Sequence, residues 1–162
     1  MLRYTLYEIR RSVLSFSSLF YTIIMPVGLY LLFGALQDYA KIKVADGNAA
    51  AYVMIGIALY GAISCTVSIS GLTVVENVAG WGRQLGLTPM NTGKYLLSKC
   101  CVAFIMAAVP ITAVNIVARM TKIDMPLKQQ IACAALSILC AMVFGFFGLA
   151  IGFLVPSASA MR

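Results

Sequence analysis

Four long uncharged stretches dominate the chain: Leu14–Leu36, Ala49–Val75, Cys100–Ala118 and Ile131–Val155, of 23, 27, 19 and 25 residues. A helix rises about 1.5 Å per residue, so about 20 apolar residues cross the hydrocarbon of a bilayer. Each stretch is long enough, the second with tilt or an interfacial extension. The pattern predicts four transmembrane helices over 14–36, 49–75, 100–118 and 131–155. Only one segment argues for sheet: Ile63-Ser64-Cys65-Thr66-Val67-Ser68-Ile69-Ser70 alternates like a strand. A lone strand in lipid leaves its backbone unpaired, and no other stretch alternates to pair with it, so helix is the better reading.

Ahead of the first stretch, Leu2, Leu6, Ile9 and Val13 recur on one helical face, while Arg3, Glu8, Arg10 and Arg11 occupy much of the remainder. That pattern predicts an amphipathic helix lying in the membrane surface; a basic flank that merely sets orientation is the alternative. The first stretch is longer than a signal-peptide core, and no small-x-small cleavage site follows Leu36. The expected fold class is therefore all-α: a polytopic membrane bundle of about four transmembrane helices behind an amphipathic interfacial helix.

Composition agrees. Of 162 residues, 62% are hydrophobic and 10% charged, with a mean hydropathy of +0.95. A soluble domain carries about 25% charged residues, and a chain this short cannot bury so large an apolar excess. The net charge of +7 sits in short segments between apolar runs, not on one exposed face, which argues against nucleic acid. The N-terminus, the 76–99 segment and the C-terminus share one side and hold seven Lys and Arg; the 37–48 and 119–130 loops hold five. The positive-inside rule then places both termini in the cytoplasm.

Chemistry-bearing residues are few. There is no histidine, and the five cysteines (Cys65, Cys100, Cys101, Cys133, Cys140) lie inside apolar runs without zinc-site or disulfide spacing, which leaves small-residue packing. Neither a metal site nor an acid–base dyad can be assembled from obvious parts, so no enzymatic activity is expected. Gly148 and Gly152, extended by Gly145 and Ala141, form a small-xxx-small row suited to close helix packing. Pro26 and Pro110 interrupt spans, as hinges or static kinks. Asn115, the most polar group within a span, suits an interhelical hydrogen bond or a pathway lining.

The most unusual stretch is the connection from Glu76 to Lys94, too long for a turn and too apolar for a solvated linker. Glu76 closes the second span, Trp81 and Arg83 suit the interface, Leu85 and Leu87 suit a short helix pressed to the bilayer, and Thr88-Pro89 ends it. Tyr95 and Lys99 then open the next span at headgroup level. Gly80-x-Gly82-x-x-x-Gly86 has the wrong spacing for a nucleotide loop, and no GxxxxGK[ST] occurs in the sequence.

In these residues the chain resembles the permease subunits of ABC-2-type transporters. The carrying features are Leu2-Arg3-Tyr4-Thr5-Leu6-Tyr7-Glu8-Ile9-Arg10-Arg11, and Pro26 with Leu31-Leu32-Phe33-Gly34. They continue through Glu76 with Gly80-Trp81-Gly82-Arg83-Gln84-Leu85, Leu87-Thr88-Pro89, Tyr95 and Lys99, and end at Gly148-Leu149-Ala150-Ile151-Gly152 with Pro156. The resemblance covers the length of the chain, and its specific part is 76–99. It implies a single transmembrane domain over 1–162 in a bacterial inner membrane, acting as the permease of an ATP-driven exporter. It also implies no cofactor of its own, ATP being bound by a separate cytosolic subunit, and a second permease as homo- or heterodimer partner.

By position, Glu76, Trp81, Gly82, Arg83, Leu87, Thr88 and Pro89 would form the loop that docks on the ATP-binding subunit. The complete family has six spans against four runs here, so the expected match is to its N-terminal four-span portion. A truncated, non-transporting fragment acting as a membrane binding partner, and a free-standing four-helix exporter, are the alternatives. The sequence does not specify the cargo.

Overall fold

The computed structural model describes residues 5–10, 16–44, 47–78, 92–121 and 123–154. Residues 5–10 are helical, and four longer helical elements follow. Helix α1 comprises four consecutive stretches, Phe16–Leu19, Phe20–Ile24, Met25–Tyr30 and Leu31–Ala35. Helices α2 (Ala49–Val78), α3 (Thr92–Met120) and α4 (Leu127–Leu154) are long and continuous. A short 3-10 turn, Asp38–Lys41, and a two-strand hairpin with Lys43 opposite Asn48 and Val44 opposite Gly47 connect α1 to α2. Asn48 then caps α2, its Oδ1 accepting the Ala51 N–H at 3.1 Å.

Three of these helices are long and apolar enough to cross a membrane: Ala49–Glu76, Gly93–Met120 and Leu127–Ile151. The expectation of about four spans is met by these three and a shorter apolar helix, Phe20–Ala35. That first helix is also irregular. Pro26 lacks an N–H and crowds the preceding turn, and wider turns lie on both sides of it. The Met25 N–H reaches back to Phe20 O, and the Leu36 N–H to Leu31 O.

The bundle is organised around α2, which packs along both α3 and α4 and also touches α1. Its core is built of small and medium side chains at helical spacing: Met54, Ala58 and Ala62 on α2, and Ala107, Ile111, Val114 and Ala118 on α3. Tyr30 of α1 closes one end, its hydroxyl 3.1 Å from Thr121 Oγ1. Gly61 lies at the meeting point of three helices. A Cβ there would come 3.0 Å from Pro110 Cβ and 3.1 Å from Pro26 Cγ, so the proline rings would have to give by a few tenths of an ångström to admit a side chain.

The outer surface is apolar. Phe20, Leu32, Phe33, Tyr60, Leu72, Phe104, Ile116, Leu139, Phe144 and Phe147 are all exposed, as a lipid-facing surface requires and a water-facing one does not tolerate.

The stretch that alternated like a strand, 63–70, is helical throughout. Three of its hydroxyls bond within the helix: Thr66 donates to Ile63 O, Ser68 to Ser64 O and Ser70 to Thr66 O. Two of them share that proton with the neighbouring helix, Thr66 Oγ1 also lying 2.9 Å from Ala141 O and Ser70 Oγ 2.7 Å from Gly145 O. Two of the polar groups that mimic a strand period, Thr66 and Ser70, lie in the contact between α2 and α4.

Candidate functional site

Beside the ends of the 79–91 segment, Lys99 is held by two carboxylates. Its Nζ lies 2.7 Å from Glu8 Oε2 and 2.8 Å from Glu76 Oε2. The Lys99 side chain is 4% exposed, that of Glu8 12% and that of Glu76 27%. Tyr95 Oη donates to Glu76 Oε2 at 2.9 Å, and its ring centroid lies 5.6 Å from the ammonium. Beside them Thr5 Oγ1 and Ser98 Oγ share a hydrogen bond of 2.7 Å.

Helical periodicity explains the convergence. Thr5 and Glu8 are three residues apart on the 5–10 helix and so present one face, while Tyr95, Ser98 and Lys99 share the inner face of α3. Three chain segments that are far apart in sequence are thereby tied together: the N-terminal helix, the end of α2 and the start of α3. A buried cation between two carboxylates resists separation, because removing either partner leaves a charge in a poorly solvated place.

This cluster departs from the sequence reading in two ways. Tyr95 and Lys99, expected as headgroup anchors, turn inward and are buried. Glu8, expected on the solvated face of the surface helix, is drawn to Lys99, while Leu6 and Tyr7 face outward. The apolar run of α3 starts at Cys100, but the helix starts at Thr92, so Lys99 sits two turns inside it. The signal was present: the buried stripe Met106, Val102, Lys99, Tyr95 continues unbroken at spacings of three and four.

Of the residues expected in the coupling loop, Glu76 is in this cluster. Trp81, Gly82, Arg83, Leu87, Thr88 and Pro89 lie outside the described residues. In the glycine row, a Cβ on Gly145 would meet Thr66 Cβ at 3.1 Å and one on Gly148 would meet Ser70 Cβ at 3.3 Å. Gly152 belongs to the same helix, and its surroundings lie outside what is described. Asn115 makes the interhelical bond: its Oδ1 accepts from Gln130 Nε2 at 2.8 Å.

A half-enclosed cavity of about 290 Å³ opens between α1 and α2, lined by Ser18, Tyr21, Thr22, Ser64, Cys65 and Ser68 among others. It offers hydroxyls to an uncharged polar group and places no ionised side chain among its lining residues. Among the described residues, no group of three His, Cys, Asp or Glu gathers to hold a metal ion.

The family model described as ABC-2 type transporter matches residues 2–161. No curated protein and no solved structure matches the chain.

Proposed function

Since the chain belongs to the ABC-2 type transporter family and is a multi-pass membrane domain of that family, we propose that it serves as the permease of an ATP-driven exporter. In this reading it performs no bond chemistry. ATP would be bound by a separate cytosolic subunit, docked on the 76–94 loop through Glu76, Trp81, Gly82, Arg83, Leu87, Thr88 and Pro89. Both termini would face the cytoplasm of a bacterial cell, and a second permease copy or homologue would complete the pathway.

One observation carries the reading. The two helix ends that flank the loop are joined by the Glu76–Lys99 pair, and the N-terminal helix is joined to them through Glu8. A push on the loop therefore reaches α2, α3 and the N-terminal helix as one body. The ATP-binding subunit would bind two conformations of this body with different affinity, and that difference would supply the work of switching access.

The test is co-purification in mild detergent with the ATP-binding protein encoded beside this chain. Wild type is expected to retain it and a Trp81→Ala/Arg83→Glu double variant to lose it. Failure of folded wild type to retain any ATP-binding subunit would sink the exporter reading in favour of a non-transporting membrane partner.

A further inference from the structure

On the outside of the bundle, between the second half of α3 and the first half of α4, runs an open groove of about 420 Å³. Its walls are apolar, formed by Ile111, Ile116, Met120, Leu127, Ile131 and Ala134. Arg119, Gln130 and Asn115 also line it, and they form one hydrogen-bonded chain. Gln130, 5% exposed, donates from Nε2 to Asn115 Oδ1 at 2.8 Å and accepts from Arg119 Nε at 2.9 Å. Asn115 is fixed in turn by its Nδ2 donating to Ile111 O at 2.7 Å.

This chain orients a cation and leaves it short of an anion. Arg119 is exposed, and among the described residues no carboxylate pairs with it, Asp124 of the connecting segment included. Its Nε donates to Gln130, and among the described residues no hydrogen bond engages its terminal nitrogens, which form a fork of the geometry that suits a phosphate. Lys128, in the first turn of α4, adds a second exposed cation. An apolar helix laid over the groove would cover its walls but strand the guanidinium without an anion, which is costly away from water.

We propose that the groove binds an anionic phospholipid, its phosphate on Arg119 and an acyl chain along Ile116 and Ile131.

Native mass spectrometry of the purified chain, with phosphatidylglycerol or phosphatidylethanolamine added, tests it. Wild type should retain phosphatidylglycerol with roughly tenfold higher affinity, the scale of one charge-assisted contact. Arg119→Gln should abolish that preference. Ile116→Trp, which fills the groove and keeps the cation, should weaken retention of both lipids, with helix content checked by circular dichroism. Phosphatidylglycerol retention at the wild-type level in both variants would overturn the proposal. So would complete displacement of the lipid by inorganic phosphate, which would make this a free-anion site. A wild-type dimer without bound lipid that dissociates in Ile116→Trp would likewise overturn it, assigning the groove to a second copy.

Discussion

Replacing Lys99 by Met removes a buried cation from between two carboxylates and keeps a side chain of similar length. The contacts are 2.7 and 2.8 Å, so at an effective dielectric constant of about 20 each contributes roughly 6 kcal/mol before desolvation is subtracted. Desolvating the ammonium offsets most of that, and breaking a buried pair leaves a net loss of about 3–5 kcal/mol. Glu76 keeps 27% of its side chain exposed and so recovers part of its hydration, which places the expected loss near the lower bound, about 3 kcal/mol. The penalty lies in the stranded carboxylates, so neutralising them should relieve it. Glu8→Gln/Glu76→Gln/Lys99→Met is expected within about 1 kcal/mol of wild type. The assay is denaturant unfolding in mixed micelles, followed by circular dichroism. Wild-type stability in Lys99→Met, or a triple variant no more stable than Lys99→Met, would refute the argument that charge imbalance governs this site.

At the three-helix junction, Gly61→Ala is expected to destabilise by about 1–3 kcal/mol in the same assay, since neither proline ring can give way as a flexible side chain would. Between α2 and α4, Gly145→Val should cost more than Thr66→Val. The glycine change forces the helices apart, while the threonine change removes a hydroxyl whose acceptors keep their backbone partners, a loss of about 1 kcal/mol or less. In a cysteine-free background, Lys94→Cys should react with an impermeant maleimide only from the cytoplasmic side and Lys43→Cys only from the opposite side; the reverse pattern would invert the proposed topology.

The apolar runs gave away the helices because lipid leaves backbone polar groups no other partner. They misplaced the helix ends where charges turned out to be internal. Lys99 terminates an apolar run yet continues a helix, because an ion pair makes a charge tolerable where a hydropathy window counts it as a stop. Asn115 stood out as polar within a span, but its partner Gln130 did not, since it lies one residue before the run that begins at Ile131. The alternation in 63–70 was a false strand signal: serine and threonine hydroxyls bond back to their own helix and count as polar only on paper. Of the residues expected in the 76–94 loop, Glu76 was legible as a helix end, while its pairing with Lys99 required a tertiary contact that local sequence does not encode.

If α2 tilts within the bundle, the close contact at Gly61 is its pivot. A contact stripped of side-chain bulk and bounded by two stiff rings acts as a fulcrum. At about 1.5 Å per residue, α2 extends about 25 Å from Gly61 to Val78 and about 18 Å back to Ala49. For rigid rotation about that point, a displacement at Val78 emerges at the hairpin end reversed in direction and scaled to about seven-tenths. The helix is a lever with unequal arms, and its long arm carries the Glu76–Lys99 linkage.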